Sequence, residues 1–229
     1  MADLRTETVE FPVNGEAGRA YLAVPVGDGP FPGVIVVQEW WGLDEHIQDV
    51  ARRLAAEGFV ALAPDLYHGK VTKEPDEAQK MMMSLDMGHA TKELVKATDY
   101  LASRPETAGR QIGAIGFCMG GGLALNLACE NPKIRAAAPF YGINPTPIDK
   151  VRNLQGPILA VYGENDTFAG ESVRRELEQA LKADNIPHEI GVYPGADHAF
   201  FNDTRPEVYD RDAAADAWQR ALSLFRNSL

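Results

Sequence analysis

Short apolar runs alternate with longer amphipathic segments along most of the chain. The apolar runs carry almost no polar residues at alternate positions, which is typical of strands buried on both faces of a parallel sheet. Six such strands are predicted, at residues 34–37, 60–63, 112–115, 136–141, 158–162 and 189–193. Between and after them, apolar residues three and four positions apart predict helices around Ile47, Val50 and Leu54, around Leu94, Ala97 and Leu101, around Val173, Leu177 and Leu181, and over about 211–227 with Trp218, Leu222 and Phe225. This alternation favours a parallel sheet covered by helices.

The beginning of the chain has a different pattern. Residues 8–13 and 19–25 are predicted as two short strands, and Asn14 and Gly15 between them are typical turn residues. An antiparallel pair therefore opens the fold, which gives eight strands in all. Gly58 ends the first predicted helix in the manner of a C′ glycine. No repeat, low-complexity tract or long linker divides the chain, so we expect one domain over residues 1–229.

Residues 68–88 fit neither pattern. Charged residues are scattered there around the triplet Met81-Met82-Met83. One interpretation is a surface helix with part of its methionine face in the core, because methionine commonly fills gaps. The other is a pliable wall or lid over a pocket. The pattern of residues leaves both open.

Composition narrows the class of protein. Hydrophobic residues make up 45% of the 229 positions and charged residues 24%, and no apolar run approaches the roughly 20 residues of a membrane span. The net charge of −11, from 33 acidic and 22 basic residues, would repel phosphate backbones and anionic lipids. We therefore expect no nucleic-acid or membrane partner, and a small-molecule or protein partner remains. The first residues lack the apolar stretch of a secretory signal, which makes the cytoplasm the expected location. A monomer and a small homo-oligomer are both open.

The chain has two cysteines, Cys118 and Cys129. If both lie on one helix, the rise of about 1.5 Å per residue separates them by roughly 16 Å, which is far beyond the reach of a disulfide. Two free thiols suit a reducing compartment. Each cysteine is then either a filler of the core or part of the chemistry.

The strongest chemical motif follows the strand at 112–115. The sequence Gly116-Phe117-Cys118-Met119-Gly120 fits the nucleophile elbow, in which glycines flank a nucleophile on a sharp turn between a strand and a helix. Such a turn strains the backbone of the central residue and crowds its neighbours, so the positions two residues to either side must be small. The N-terminus of the following helix favours a thiolate. A dinucleotide-binding turn is the weaker interpretation because the G-x-G-x-x-G spacing is absent, and a structural cysteine is another.

An acid and a histidine follow two later strands. Asp166 ends the sequence Gly163-Glu164-Asn165-Asp166, and His198 lies in Gly195-Ala196-Asp197-His198. Taken singly, Asp166 could form an Asx turn and His198 could be an ordinary loop residue. Taken together, Cys118, Asp166 and His198 follow in the chain order of α/β-hydrolases, at the strand ends where open α/β sheets place their sites. They predict a Cys-His-Asp triad.

Six short motifs, spread nearly from end to end of the chain, belong together. They are Gln38-Glu39-Trp40-Trp41-Gly42, Pro64-Asp65-Leu66-Tyr67, Gly116-Phe117-Cys118-Met119-Gly120-Gly121, Phe140-Tyr141-Gly142, Gly163-Glu164-Asn165-Asp166 and Gly195-Ala196-Asp197-His198-Ala199-Phe200. In this combination they resemble the dienelactone hydrolase family, the carboxymethylenebutenolidases. A cysteine at the elbow together with the Gln-Glu pair after the third strand is specific to this branch of the α/β-hydrolases.

The resemblance implies an α/β-hydrolase fold, with an eight-stranded, mostly parallel sheet covered by helices on both faces, and a reaction that needs no cofactor. It implies that Glu39 contacts the resting thiol and helps to ionise it when substrate arrives. It also implies that the backbone N–H groups of Trp40 and Met119 form the oxyanion hole, and that Tyr141 and Phe200 contact the substrate.

Glu39 also has an argument of its own. A carboxylate directly after the buried run 34–37 would lie at the rim of the site, where apolar packing does not explain it, so a functional role is favoured. The alternative is a rim carboxylate that is simply solvated. One of Trp40 and Trp41 is predicted to line the pocket and the other to pack in the core, in either order. The remaining histidines lack the spacing of metal ligands, so we expect no metal site: they are His46, His68, His89 and His188.

One departure from the family concerns the substrate. In members that act on dienelactone, a Ser follows the catalytic His, and the fourth residue after that His is an Arg, which with a second Arg holds the substrate carboxylate. Here these positions are Ala199 and Asn202, and residues 75–80 contain no Arg. Four basic residues could substitute as point charges without bidentate geometry: Lys70, Lys73, Lys80 and Arg205. We expect the chemistry to be shared with the family, whereas the substrate is open.

The sequence therefore predicts a hydrolase of a small lactone or ester that forms a thioester on Cys118. His198 would handle the proton, and Asp166 would orient His198. A general carboxylesterase or thioesterase with another small substrate is one alternative. A non-catalytic protein that uses Cys118 as a thiol sensor is the other.

Overall fold

The computed structural model describes residues 4–13 and 15–229. Within these residues eight strands form one sheet. The strands are β1 Leu4–Val13, β2 Glu16–Pro25, β3 Gly33–Val37, β4 Val60–Pro64, β5 Ile112–Phe117, β6 Ile134–Phe140, β7 Ile158–Gly163 and β8 His188–Tyr193. All eight predicted strands are confirmed, and the opening pair is longer than its pattern indicated. Asn14, predicted as a turn residue, lies outside the described residues.

The strand order is β1-β2-β4-β3-β5-β6-β7-β8. β2 pairs antiparallel with β1 and β4, and every other neighbouring pair is parallel. The strands β3 to β8 therefore end at the same side of the sheet, which we call the carboxyl edge. In open α/β sheets this edge collects the loops that carry functional side chains.

The described ranges contain six α-helices. They are α1 Glu45–Ala56, α2 Pro75–Ser84, α3 Met87–Ser103, α4 Met119–Glu130, α5 Glu171–Ala183 and α6 Arg211–Ser228. α1 begins after Asp44, whose side chain accepts a hydrogen bond from the backbone N–H of Ile47, a typical N-cap. Gly58 follows the end of α1 with φ of +90°, which confirms the predicted C′ glycine.

The apolar core has two layers, one on each face of the sheet. β3 shows how both are filled, because Ile35 and Val37 enter one layer while Val34 and Val36 enter the other. The first layer includes residues of α3, α4 and α5, and the second includes residues of α1 and α6. Both faces of the central strands are therefore covered by helices, as the uninterrupted apolar runs predicted.

The segment 68–88 contains α2. Met81 and Met82 are partly buried against the core, whereas Met83 is exposed. The interpretation as a surface helix with part of its methionine face in the core is confirmed. Among the described residues, none of the helices has the length and apolar character needed to cross a lipid bilayer.

Candidate active site

Cys118 lies on the sharp turn between β5 and α4. Its φ is +56° and its ψ is −120°, a backbone conformation that side chains rarely adopt and that is typical of strained functional positions. Gly116 packs against the backbone of Gly120, so a Cβ atom at residue 116 would collide with the carbonyl group of Gly120. The glycines are needed for the reason that the motif suggested.

His198 and Asp166 meet Cys118 from two loops at the carboxyl edge. The Nδ1 atom of His198 lies 2.8 Å from Oδ2 of Asp166, and Cys118 is close enough to His198 to raise the pKa of the imidazole. Oδ1 of Asp166 accepts hydrogen bonds from the backbone N–H groups of Phe168 at 2.8 Å and Ala169 at 2.9 Å. These bonds fix the carboxylate, which in turn fixes the imidazole ring.

The hydrogen bonds also set the charges. Burial would raise the pKa of Asp166, but the bonds from His198, Ala169 and Phe168 lower it below its ordinary value. Burial would lower the pKa of His198, but the hydrogen bond with Asp166 and the neighbouring Cys118 raise it to about 10. The arrangement therefore favours an ionised Asp166 beside an imidazolium.

Glu39 lies behind this group, only 1% exposed. Its Oε1 accepts a hydrogen bond from the Tyr141 hydroxyl at 3.2 Å, and its Oε2 accepts one from the Asn202 amide at 2.8 Å. Burial raises the pKa of Glu39, although His46 and the bond from Asn202 oppose this. The structure therefore places Glu39 inside the protein. The alternative, a solvated carboxylate at the rim, is wrong.

Asn202 has a position that the sequence did not predict. Its Nδ2 donates to Glu39, while its Oδ1 accepts hydrogen bonds from the backbone N–H of Thr204 at 3.1 Å and the hydroxyl of Thr204 at 2.7 Å. The sequence showed only that Asn202 stands where some family members have an Arg that binds the substrate carboxylate. The structure shows instead that it holds a buried acid.

The two predicted oxyanion donors lie on adjoining elements. Met119 is the first residue of α4, so its N–H group has no acceptor within the helix. Trp40 lies just beyond the end of β3. Gly120 packs against the carbonyl groups of Val37 and Gln38, which brings the first turn of α4 against the end of β3. The backbone segments that carry the two predicted donors therefore adjoin each other.

The aromatic residues divide between core and surface. Trp41 is buried and Trp40 half-buried, which fits core and pocket wall respectively. Phe200, predicted to contact substrate, is fully buried and packs against Tyr141 and Tyr193, so that prediction is corrected: Phe200 supports the site from behind. Tyr141 is also buried, with its ring 5.0 Å from that of His198 and its hydroxyl on Glu39.

Phe168 is a site residue that the sequence analysis missed. Its ring is 72% exposed and its centre lies 5.2 Å from that of His198. A large exposed aromatic side chain beside the histidine offers an apolar contact to a ligand. Its position two residues after Asp166 was the available signal.

Two further residues bear on earlier alternatives. Arg205, one of four possible carboxylate partners, bonds Glu207 at 2.8 Å and lies 5.0 Å above the ring of Trp41. Cys129 is a free thiol buried in the core, and burial raises its pKa to about 12. Cys129 therefore fills the core, whereas Cys118 lies among ionisable groups.

The strained turn after β5, the acid after β7 and the histidine after β8 define an α/β-hydrolase fold. The model of the dienelactone hydrolase family matches residues 19–229, and the chain belongs to that family. It is a dienelactone hydrolase-like hydrolase.

Several proteins are similar over nearly their whole length. A Synechocystis protein, provisionally named a carboxymethylenebutenolidase, is 36% identical, with 99% of this chain and 98% of the relative covered. The crystal structure of a provisionally named dienelactone hydrolase from Klebsiella pneumoniae has a TM-score of 0.90 and 35% identity, covering 98% and 99% of the two chains. A dienelactone hydrolase-like promiscuous phosphotriesterase from metagenomic libraries has a TM-score of 0.91 and 25% identity, covering 100% and 99%.

Proposed function

We propose that this hydrolase cleaves a lactone or ester of a small organic acid through a thioester on Cys118. The observation that carries the proposal is the hydrogen bond between Asp166 and His198, together with the proximity of His198 to Cys118 on its strained turn. A nucleophile, a base and a group that orients the base are the requirements for covalent acyl transfer. The names of the similar proteins support a lactone as the substrate class.

The steps follow from the positions of the groups. The sulfur of Cys118 attacks the carbonyl carbon, and the N–H groups of Trp40 and Met119 bind the resulting oxyanion. The imidazolium of His198 gives its proton to the leaving oxygen as the carbon–oxygen bond breaks. His198 then takes a proton from water, the hydroxide attacks the thioester, and the thiolate of Cys118 leaves.

Glu39 has a role before the first of these steps. Burial raises the pKa of Glu39. Glu39 and Cys118 both raise the pKa of Tyr141, so both groups lie near the Tyr141 hydroxyl. A carboxylate with a raised pKa is a better acceptor for a thiol proton near neutral pH. We propose that Glu39 takes up this proton and returns it to the Cys118 thiolate when the thioester has been hydrolysed, and that Asn202 and Tyr141 position the carboxylate.

The acyl-enzyme provides the direct test. Brief reaction with 4-nitrophenyl acetate, acid quenching and peptide mass spectrometry should find one acetyl group on the peptide that contains Cys118. The label should persist in Cys129→Ala and vanish in Cys118→Ala. Hydrolysis with the label on another residue would contradict the mechanism. A protein that neither turns over nor acquires a label would fit a thiol sensor instead.

Glu39→Gln should slow acylation about tenfold or more while the protein stays folded, because a neutral amide cannot take the thiol proton. Stopped-flow measurement of the 4-nitrophenol burst isolates this step from thioester hydrolysis. Glu171→Gln, on the exposed face of α5, is the matched control and should leave the burst unchanged. A wild-type burst rate in Glu39→Gln would remove Glu39 from the mechanism.

A general carboxylesterase or thioesterase is the second function that an observation favours. The amide of Asn202 bonds Glu39, so the position of the family's carboxylate-binding Arg offers no partner to a substrate carboxylate, while Phe168 offers an apolar contact. A panel of cis- and trans-dienelactone, aryl esters, alkyl esters and thioesters distinguishes the two. We also propose a cytoplasmic location, because two free cysteines suit a reducing compartment.

A further inference from the structure

Tyr67 lies at the carboxyl edge in the loop that follows β4. The side chain of Asp65 holds this loop, because Oδ1 accepts a hydrogen bond from the N–H of Tyr67 at 3.2 Å and Oδ2 accepts one from the N–H of Gly69 at 2.6 Å. The side chain of Tyr67 is only 6% exposed. The phenol is therefore fixed in place rather than free in solvent.

The hydroxyl of Tyr67 has a weak partner. It donates to the thioether sulfur of Met119 at 3.5 Å, and a thioether is a poor acceptor. A buried hydroxyl normally bonds a stronger acceptor, because a poorly satisfied buried donor destabilises the folded protein. Burial raises the pKa of Tyr67, and so does the charge of an ionised Cys118 nearby. Tyr67 is therefore a neutral hydrogen-bond donor beside the nucleophile. Its hydroxyl could donate to an oxygen atom of a ligand in place of the Met119 sulfur.

The strand order shows which part of a substrate would reach this hydroxyl. β4 lies on one side of β5, which leads to Cys118, and β7 and β8, which carry Asp166 and His198, lie on the other. The leaving oxygen must face His198 to receive its proton, and the carbonyl oxygen must face the N–H groups of Trp40 and Met119. The remaining substituent of the carbonyl carbon is the acyl chain. Because His198 occupies the side of β7 and β8, we place the acyl chain on the side of β3 and β4, where Tyr67 lies.

We propose that Tyr67 donates a hydrogen bond to an oxygen atom in the acyl chain of the substrate, close to the reacting carbonyl group. The preferred substrates would then be esters or lactones of oxygen-substituted acids rather than of plain alkanoic acids. This inference rests on the proposed function, because it assumes the orientation that a thioester on Cys118 imposes.

Two esters of equal chain length isolate the contact. In 4-nitrophenyl methoxyacetate an ether oxygen replaces one methylene group of 4-nitrophenyl butyrate, and both share a leaving group. We expect Tyr67→Phe to lower the ratio of kcat/KM for methoxyacetate over butyrate by about tenfold, with butyrate changed less than about threefold. The intrinsic reactivity of each ester cancels in the comparison with wild type. So does the folded fraction, because both esters are measured on the same preparation.

Tyr100→Phe is the control, since the Tyr100 hydroxyl accepts from Arg104 at 2.6 Å on the surface of α3, and it should leave the ratio unchanged. An unchanged ratio in an active Tyr67→Phe enzyme would overturn the inference and spare the proposed function. An equal fall for both esters would overturn it too, because Tyr67 would then act on the sulfur or the oxyanion. Wild-type protein that neither hydrolyses these esters nor forms an acyl-enzyme would overturn both proposals.

Discussion

Cys118→Ala and His198→Ala should each lower kcat/KM by about 10⁴-fold or more while the fold is retained. The nucleophile and the base act as one unit, so the loss of either removes covalent catalysis entirely. Alanine has the same Cβ atom as cysteine, so the strained backbone at residue 118 meets no new collision. Steady-state hydrolysis of an aryl ester, with circular dichroism to verify folding, measures the effect.

Cys129→Ala is the matched control, because it removes the other thiol. Cys129 packs in the core, where the loss of one sulfur atom affects stability rather than chemistry. Its kcat/KM should stay within about twofold of wild type. A folded but inactive Cys129→Ala together with an active Cys118→Ala would show that the nucleophile is misassigned.

Aryl or enol esters should exceed matched alkyl esters in kcat/KM by about 100-fold or more, and a sulfur nucleophile is the reason. The tetrahedral intermediate can expel the ester oxygen or the sulfur, and the less basic group leaves faster. Thiols have a pKa of about 8.5 and phenols of about 10, whereas an alkoxide is nearly as basic as hydroxide, whose parent water has a pKa of about 15.7. An intermediate from an alkyl ester therefore mostly returns to substrate. An enol lactone avoids this, because its departing charge is delocalised.

Phenyl and ethyl esters of one acid provide the measurement. The enzymatic ratio is compared with the ratio for alkaline hydrolysis of the same two esters, which accounts for their intrinsic reactivity. The enzymatic ratio should be the larger. Equal ratios would mean that proton transfer from His198 is complete before the carbon–oxygen bond breaks, and the argument from leaving groups would fail.

The strands and the elbow could be predicted because their signals are local. The run 34–37 is apolar at every position since both faces of β3 are buried. Gly116 and Gly120 flank Cys118 since the turn brings the backbones of residues 116 and 120 together. In each case, residues adjacent in the chain carry the whole physical requirement.

The environment of Glu39 could not be predicted in this way. Asn202 lies 163 positions from Glu39 along the chain, and nothing in the local sequence of either residue specifies their hydrogen bond. Phe200 was wrongly predicted to contact substrate because proximity to His198 in the chain does not fix the direction of a side chain. Its neighbour Ala199 has φ of +65°, so the backbone turns sharply there and Phe200 enters the core.

The proposed catalytic base, His198, follows the outermost strand on its side of the sheet. β8 pairs with β7 alone, and only two of its six residues are buried. Strands of this kind open locally at a lower free energy than central strands. Brief fraying of β8 would separate His198 from the sulfur while β3, β5 and β6 stay paired. We therefore expect enzymatic inactivation on warming to precede cooperative melting, with the onset governed by β8 rather than by the core.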